Sequence, residues 1–361
     1  MRFRRAHRSR AAVGLLAVVT LLAGAAACGA DGPDGQRDGQ PGGSGSPQAD
    51  GTVTLYSGRS ESLIGPLLAR FEEDTGIRVE VRYGDTAQMA AQLLNEGDRT
   101  PADAFLAQDA GALGAVTRAG LFAPLPDEVL ARVPDTYRAT GGEWVGVTGR
   151  SRVLIYNTDL VDAAELPDSV LELTGQSWRG RIGVAPTNGS FQAFVTALRV
   201  RHGDEVARDW LSGMAANDPQ IREGNGPIVA DVIDGRIDAG LVNHYYLFER
   251  ARELGVPVEQ LPARLHFFPN GDTGALVNVS GIGVLAHAAG DQDVRALVDH
   301  LLSPAGQTHF AEQTSEYPLV DGVAGPAGAP PLESLTAPDI DLNDLDSLEE
   351  TVVMITESGL A

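Results

Sequence analysis

Short β-rich runs alternate with helical patterns along most of this 361-residue chain. Residues 52–56 have a strand pattern, and residues 62–74 a helical one, because apolar residues recur there every three or four positions. Such alternation is typical of α/β proteins, in which helices cover the faces of largely parallel sheets. Further strands are predicted at 77–83, 103–107, 153–156, 182–184, 239–242 and 282–285, with helices at 86–94, 110–119, 191–201 and 247–254.

The N-terminus has the features of an export signal. Five arginines within residues 2–10 precede an apolar stretch, 11–27, that is too short and too rich in alanine for a membrane span. The stretch ends at Cys28, the only cysteine, so residues 1–27 are predicted to be a lipoprotein signal peptide and Cys28 the lipidated residue. The alternative is an ordinary cleaved signal with an incidental cysteine. Either signal predicts export; the lipid would hold the protein at the outer face of the cytoplasmic membrane.

The segment after Cys28 has the composition of a tether. Residues 31–50 contain no large apolar side chain, so they cannot bury enough surface to offset the entropy of ordering. Residues 28–51 are therefore predicted to be flexible, and residues 52–361 to be a body long enough for two domains with separate cores. The acidic stretch 339–350 is expected to form a solvated final helix.

The body is strongly acidic. Removing residues 1–27 takes away five of the 27 basic residues and none of the 49 acidic ones, which leaves a net charge of −27. Nucleic acids and anionic lipid headgroups bind positive surfaces, so neither is an expected partner, and membrane contact is expected through the lipid anchor only. The charge suits a protein that binds cations.

Two adjacent tyrosines, Tyr245 and Tyr246, lie where an apolar run meets a helical pattern. Phenolate is a hard, anionic oxygen ligand, and the cation that prefers it is hard and highly charged, above all Fe³⁺. The alternative is a pair of rim aromatics with buried rings and solvated hydroxyls. The pair is therefore a candidate ferric site that needs support from the rest of the chain.

Two helix starts have the residues of an anion site. Residues 186–190 (Pro-Thr-Asn-Gly-Ser) connect strand 182–184 to helix 191–201, and Asn225-Gly226-Pro227 opens another helix. Free backbone N–H groups and the helix dipole can hold an anion there, at the edge of the sheet where α/β proteins bind ligands. Taken alone, each segment is better explained as a plain helix cap, which favours the same residues.

Nine runs carry a resemblance to a known family. They are TLYSGR (54–59), FEEDTGIRVEV (71–81), PAD (101–103), WVGVTGRSRVLIYN (144–157), WRGRIG (178–183), residues 188–198, LVNHYYL (241–247), GALV (274–277) and EYPL (316–319). In this order and spacing they resemble the ferric-iron-binding proteins of bacterial iron ABC importers. The resemblance covers residues 52–321 and implies a two-domain periplasmic-binding-protein, or Venus flytrap, fold that closes by hinge rotation.

On this layout, residues 52–150 plus 278–328 form the N-terminal lobe and residues 151–277 plus 329–361 the C-terminal lobe. Hinge strands are expected near 151–157 and 276–280. The resemblance implies a monomeric substrate-binding lipoprotein, not an enzyme, that delivers Fe³⁺ to an ABC permease.

The resemblance also implies a ligand set. In that family two adjacent tyrosines bind Fe³⁺, and they match Tyr245 and Tyr246. A synergistic anion, phosphate or carbonate, is held by residues that match Asn188, Gly189, Ser190, Asn225 and Asn243.

Two positions depart from the family's pattern. Well-known members supply a His and a Glu from the N-terminal lobe, where this chain has Ser60 and Gln108. A neutral hydroxyl or amide is a weak ligand for Fe³⁺. Three possibilities stay open: iron held mainly by one lobe, a substitute ligand among Glu61, Asp109 and His244, or capture of an iron chelate.

Several nearby residues have simpler explanations than metal binding. Glu61 and Asp109 are better explained as surface acids, and His244 is expected to face away from Tyr245 in an extended segment. Arg59 and Arg150 lie beside the expected cleft, where they could balance an anion or a chelator's carboxylates, or form structural salt bridges.

Other functions remain alternatives. The same fold could bind an oxyanion or organic phosphate through Asn188, Asn225 and Asn243 without a metal. An enzyme would need a nucleophile with a base, or paired acids in a cleft, and the body has no Gly-x-Ser-x-Gly elbow, His-Glu-x-x-His run, P-loop or cysteine nucleophile. A surface-adhesion lipoprotein would leave the anion-site residues unexplained.

Overall fold

The computed structural model describes residues 51–361. The predicted signal peptide (1–27), the lipidation site Cys28 and the tether up to residue 50 lie outside the described residues. Within residues 51–361, no helix is both long enough and apolar enough to span a bilayer.

Strands and helices alternate along this range, as predicted. The strands are β1 (Thr52–Ser57), β2 (Arg78–Tyr83), β3 (Ala104–Ala107), β4 (Phe122–Ala123), β5 (Trp144–Asn157), β6 (Ile182–Val184), β7 (Gln220–Ile221), β8 (Ala239–Asn243), β9 (Ala263–His266), β10 (Val277–Leu285) and β11 (Tyr317–Pro318). The helices are α1 (Glu61–Thr75), α2 (Thr86–Glu96), α3 (Ala110–Arg118), α4 (Asp127–Leu130), α5 (Gly189–His202), α6 (Asp204–Ala216), α7 (Asn225–Ile233), α8 (Tyr245–Leu254), α9 (Gln292–Leu301), α10 (Pro304–His309) and α11 (Leu348–Glu357).

Helix α1 illustrates how the sequence pattern forms these elements. Its apolar residues at helical spacing, Ile64, Leu67, Leu68 and Phe71, are all buried, which is the face that the pattern predicts. The helix ends at Gly76, which adopts the left-handed conformation (φ 75°) and donates its N–H to the Glu72 carbonyl. The predicted helix 62–74 is confirmed to within one residue at each end.

The strands form one mixed sheet in the order β2-β1-β3-β10-β5-β8-β6-β7, with β4 beside β10 and with β9 and β11 beside β5. The pairs at the two ends of the sheet, β1 with β2 and β3, and β6 with β7 and β8, are parallel. At the centre, β5 and β10 are antiparallel to each other and to every neighbour. The prediction of largely parallel sheets is therefore wrong at the centre. There β5 carries the chain from one half to the other and β10 brings it back, so the two run in opposite directions.

Buried apolar side chains form separate cores in the two halves. One core draws almost entirely on residues 53–147 and 276–345. Two further clusters draw on residues 153–275 and on the end of the chain, 354–360. The α/β fold with two domains joined by hinge strands is confirmed, whereas the lobe boundaries given above stay a prediction.

The C-terminal tail packs on both halves of the molecule. Ile340, Leu342 and Leu345 join the first core, and Met354 and Ile355 join a cluster of the second half. The helix α11 begins only at Leu348. The expectation of a solvated helix over 339–350 is therefore wrong, because apolar residues between the acidic ones are buried in the first core.

Candidate metal and anion site

Tyr245 and Tyr246 are the first two residues of α8, directly after the corner at which β8 ends. Their rings stack, with centroids 4.4 Å apart and an angle of 26° between the planes. Tyr245 is buried, 5% exposed, and Tyr246 is half-buried. The two phenols therefore lie side by side, one inside the protein and one in reach of solvent.

The surroundings of Tyr245 oppose a bare phenolate. Burial and the neighbouring Tyr246 raise the pKa of Tyr245 well above its usual 10, while the positive charges of Arg150 and Arg59 act in the opposite direction. Burial without full charge compensation stabilises the neutral phenol. A cation that bound the phenol oxygens would supply the missing charge, so the pair is suited to binding a metal that displaces its protons.

The first turn of α5 forms a hydrogen-bonded cradle with the start of α7. Asn188 caps α5, and its Oδ1 accepts bonds from the backbone N–H of Ser190 at 3.1 Å and from Ser190 Oγ at 2.6 Å. Asn225 Nδ2 donates to Ser190 Oγ at 3.1 Å and to Asn188 Oδ1 at 3.3 Å. The two helix starts that the sequence singled out are thus brought together, with the Oδ1 of buried Asn225 left without a partner.

Arg152, which the sequence analysis did not single out, completes this cradle. Its Nη1 donates to Ser190 Oγ at 3.1 Å and its Nη2 to the Leu241 carbonyl at 2.9 Å. The guanidinium lies 5.7 Å from the centroid of each of the Phe191 and Phe194 rings. Burial lowers its pKa to about 9, while Tyr246 and Tyr245 act to raise it. The signal was present: Arg150 and Arg152 are two apart in one strand and therefore share a face.

Arg150 and Arg152 line a small inner cavity together with Ser190 and Asn243. The cavity has a volume of about 10 Å³, room for about one water. The Nε and Nη1 groups of Arg150 and the Nε of Arg152 are buried without a hydrogen-bond partner. Unpartnered guanidinium groups around a cavity favour an anion, because charge-assisted bonds would satisfy them. An anion of several atoms requires these walls to move apart.

A wider outer cavity, of about 370 Å³, lies between the starts of α3 and α5. Asn188 and Gly189 line it from one side and Gln108 and Asp109 from the other, while Leu345 of the C-terminal tail lines it as well. Nothing lies within 4 Å of where a Cβ on Gly189 would be, so its backbone is open to a ligand. Gln108 and Asp109 also line the inner cavity.

Gln108 and Ser60, the two positions expected to depart from the family's pattern, differ in placement. Gln108 is half-buried and reaches both cavities. Ser60 is exposed at the start of α1, where its Oγ lies 3.1 Å from Ser62 Oγ, and it lines neither of these two cavities. In this conformation the structure brings Gln108, but not Ser60, towards the hydrogen-bonded cradle.

Arg59 has a structural partner. Its Nη2 donates to Glu316 Oε2 at 2.8 Å, and both side chains are almost fully buried. Arg150 Nε lies 3.7 Å from the other carboxylate oxygen of Glu316. Burial and the charge of Arg59 lower the pKa of Arg150. Both arginines predicted as charge partners are thus paired with Glu316, Arg59 more closely, and Arg150 also lines the inner cavity.

The three candidate substitute ligands, Glu61, Asp109 and His244, differ in burial and in hydrogen bonding. Glu61 is exposed. Asp109 caps α3 by accepting the Ala112 N–H at 3.0 Å, and burial raises its pKa. His244 is fully buried, and burial lowers its pKa to about 3. Within residues 51–361, no group of three or more His, Cys, Asp or Glu side chains is arranged to hold a metal ion.

Comparison with known proteins gives consistent matches. Residues 99–344 match the family model described as bacterial extracellular solute-binding protein. The chain is 34% identical to an Fe(3+)-binding periplasmic protein of Serratia marcescens over 313 residues, 86% of this chain and 91% of that protein. Iron-bound HitA from Pseudomonas aeruginosa superposes with a TM-score of 0.78 at 35% identity, over 85% of this chain and 99% of HitA. A Trichodesmium protein (IdiA, FutA) in complex with iron and citrate ligands superposes with a TM-score of 0.75 at 26% identity, over 86% of this chain and all of that one.

Proposed function

The chain belongs to the bacterial extracellular solute-binding proteins, among the periplasmic ferric-iron-binding proteins, and from that premise we propose that it captures ferric iron for import. The observation that carries the proposal is the stacked Tyr245–Tyr246 pair near a buried cradle in which Arg150 Nε and Nη1 and Arg152 Nε have no hydrogen-bond partner. The tyrosines bind the metal as phenolates, and the cradle holds an anion that completes the charge balance.

The tyrosine pair supplies two negative charges to Fe³⁺. An ordinary tyrosine has a pKa of about 10, and burial raises the pKa of Tyr245 further. Binding therefore displaces two phenol protons, and iron affinity falls in acid. The positive charges of Arg150 and Arg59, which act to lower the pKa of Tyr245, assist this exchange.

A synergistic anion, phosphate or carbonate, binds at the start of α5. Arg150 and Arg152 supply charged donors from β5, and Gly189 offers an open backbone. The helix start adds free N–H groups and a positive dipole end. The anion-binding residues are Asn188, Gly189, Ser190, Asn225 and Asn243, with Arg150 and Arg152 as charge partners.

The remaining coordination positions of octahedral iron are filled by the anion, by waters or by a chelator. Gln108 is the nearer of the two neutral replacements, since it lines both cavities, but a neutral amide compensates little charge. Ser60 is a weaker candidate because it is exposed and lies outside both cavities.

Capture of an iron chelate is the second candidate. The outer cavity, of about 370 Å³, lies within the range of small-molecule sites, about 300–1,000 Å³. The Trichodesmium relative is described in complex with iron and citrate ligands. A metal-free oxyanion or organic phosphate, bound through Asn188, Asn225 and Asn243, is the third candidate, and it would bind equally well after iron is removed.

The role is capture and delivery rather than catalysis. As an exported monomer, held by a lipid on Cys28, the protein closes on iron by rotation about β5 and β10 and passes the iron to an ABC permease. Opening of the hinge at the permease, or protonation of the phenolates and anion, releases the metal.

A visible-absorption titration of the mature chain with ferric citrate tests the proposal, with phosphate or bicarbonate present. The expected result is a broad phenolate-to-iron charge-transfer band that saturates at one iron per chain and is lost in the Tyr245→Phe/Tyr246→Phe double variant. No band in the wild-type protein would reject the tyrosine site. Anion binding that persists under strict iron chelation would favour the metal-free candidate.

A further inference from the structure

His244, the residue before the tyrosine pair, has both ring nitrogens engaged. Nδ1 accepts the backbone N–H of Ser151 at 3.2 Å, and Nε2 lies 2.9 Å from the Ser315 carbonyl oxygen. A carbonyl oxygen only accepts, so Nε2 carries the proton, and one neutral tautomer satisfies both bonds. The ring also stacks on Tyr317 with centroids 4.5 Å apart. His244 is therefore fully committed to structural contacts rather than available to a metal.

The two partners of His244 belong to different parts of the fold. Ser151 lies in the hinge strand β5, and its carbonyl also accepts the His244 backbone N–H at 3.0 Å. Ser315 follows a π-helical turn, Phe310–Thr314, and has a φ of 55°, an uncommon conformation for serine. Arg252 of α8 donates to the Ser315 hydroxyl at 2.7 Å. The tyrosine-bearing segment thus holds Ser315 at both its carbonyl and its hydroxyl.

Ser315 leads directly to Glu316, which is fully buried. Glu316 accepts the 2.8 Å bond from Arg59, which lies just beyond the end of β1. Both residues belong to the half of the molecule that does not carry the tyrosines, since Phe310 and Leu319 pack in the same core as β1. A continuous path of bonds therefore runs from the tyrosine corner through His244, Ser315 and Glu316 to Arg59.

We propose that His244 is a positioning residue for the tyrosine pair, and that its bond to the Ser315 carbonyl couples the pair to the loop that carries Arg59. This inference rests on the ferric function proposed above. When the two halves of the molecule separate, the path must stretch or break. The His244–Ser315 bond therefore slows the opening that releases iron.

Two near-isosteric substitutions separate the two bonds of His244. In His244→Gln the amide nitrogen reaches the position of Nε2 and keeps the bond to Ser315. In His244→Asn the amide oxygen takes the position of Nδ1, which keeps the bond to Ser151. The Ser315 carbonyl oxygen, however, loses the donor that His244 Nε2 supplies. A third variant, Ser315→Ala, removes only the hydroxyl bond from Arg252 and tests the same turn if the buried substitutions impair folding.

The measurement is the decay of the charge-transfer band of the iron-loaded mature chain after an excess of ethylenediaminetetraacetate is added, with phosphate present. His244→Asn is expected to release iron about tenfold faster than the wild type, the size of one lost buried hydrogen bond. His244→Gln is expected to stay within about twofold, and Ser315→Ala to lie between the two. Melting temperature is recorded for each, because a merely structural role would lower it without separating the Asn and Gln variants in release rate.

The outcomes distinguish this inference from the proposed function. Equal release rates for His244→Asn, His244→Gln and the wild type, with the band intact, would overturn the positioning role alone. So would an unchanged rate in Ser315→Ala if the histidine variants do not fold. Absence of the band in the wild-type protein would overturn the ferric function and this inference with it.

Discussion

Arg152 Nη1 donates a 3.1 Å hydrogen bond to Ser190 Oγ, which joins the hinge strand β5 to the first turn of α5. The same guanidinium has its Nε buried without a partner at the inner cavity. Arg152 therefore lies where the proposed anion would meet the strand on which the two halves turn.

Arg152→Met is expected to weaken binding of the synergistic anion. Methionine keeps much of the volume between Phe191 and Phe194 but removes the charge. Each lost hydrogen bond to a charged group costs roughly 1.5–3 kcal/mol, so affinity for phosphate or bicarbonate should fall at least about tenfold. Calorimetric titration of the anion into the iron-loaded protein measures this. Arg179→Gln, which removes an arginine from an exposed ion pair with Asp218, is the control.

Iron uptake is expected to release two protons per chain near pH 7. An ordinary tyrosine is neutral there, since its pKa is about 10, and burial raises the pKa of Tyr245 further. Apparent affinity should therefore rise with pH in the wild type, and Tyr245→Phe or Tyr246→Phe should each release one proton. A pH indicator present during iron addition measures the number of protons released per iron bound. If the wild type and both single variants release the same number, phenolate binding is contradicted.

The iron-free protein should lose stability in alkali because of Tyr245. The folded-state pKa of Tyr245 is raised, so its contribution to stability is present below the unfolded pKa, 10, and is lost as pH rises above it. Urea unfolding at pH 9 and 11, with and without the Tyr245→Phe substitution, isolates the contribution of Tyr245 to the free energy of unfolding. The variant should lose less stability than the wild type between these two pH values.

Local patterns predicted the elements and helix starts well, because capping and apolar spacing act over a few residues. The runs around Asn188, Asn225 and the tyrosines were placed correctly on α5, α7 and α8. Contacts between distant segments could not be read in this way. Arg152 bonds Ser190, which is 38 positions away along the chain, and Glu316 bonds Arg59, which is 257 positions away. Both bonds form only when distant segments of the fold meet. The antiparallel centre of the sheet and the buried tail were missed for the same reason.

The wild-type protein is expected to lose stability in acid through His244. Burial lowers the pKa of His244 from 6.5 to about 3. Between these two pH values the unfolded chain therefore binds a proton on His244 and the folded protein does not. A depressed folded-state pKa means that this contribution is present above pH 6.5 and is lost as pH falls towards 3, at up to roughly 1.4 kcal/mol per pH unit. His244→Gln should remove this slope. Urea unfolding of both iron-free proteins at pH 7 and pH 5 tests it, and parallel losses would show that His244 is not the source.

Gly111→Ala should destabilise the protein although alanine favours helices. Gly111 lies in the first turn of α3, and a Cβ there would meet the Leu345 carbonyl oxygen of the tail at 2.5 Å. Such overpacking typically costs about 1–3 kcal/mol, more than the roughly 1 kcal/mol that alanine gains over glycine in a helix. Gly65→Ala in α1 is the matched control, since its nearest neighbours would lie at 3.4 and 3.9 Å. Urea unfolding should therefore show a lower free energy of unfolding for Gly111→Ala and a higher one for Gly65→Ala. Equal gains in both variants would mean that the tail is not in close contact with α3.

Gln108→Glu is expected to strengthen iron binding. Gln108 lines both cavities, and the family resemblance matches its position to a glutamate, so a carboxylate there would add a charged ligand from the α3 side of the outer cavity. Gln88→Glu adds the same charge to the outer cavity alone and controls for general electrostatic attraction. Competition against citrate, followed by the charge-transfer band, should show a gain of at least about tenfold for Gln108→Glu and little for Gln88→Glu. If iron is instead held as a chelate, the new carboxylate competes with the chelator for the same space, and Gln108→Glu should weaken binding of the intact ferric citrate.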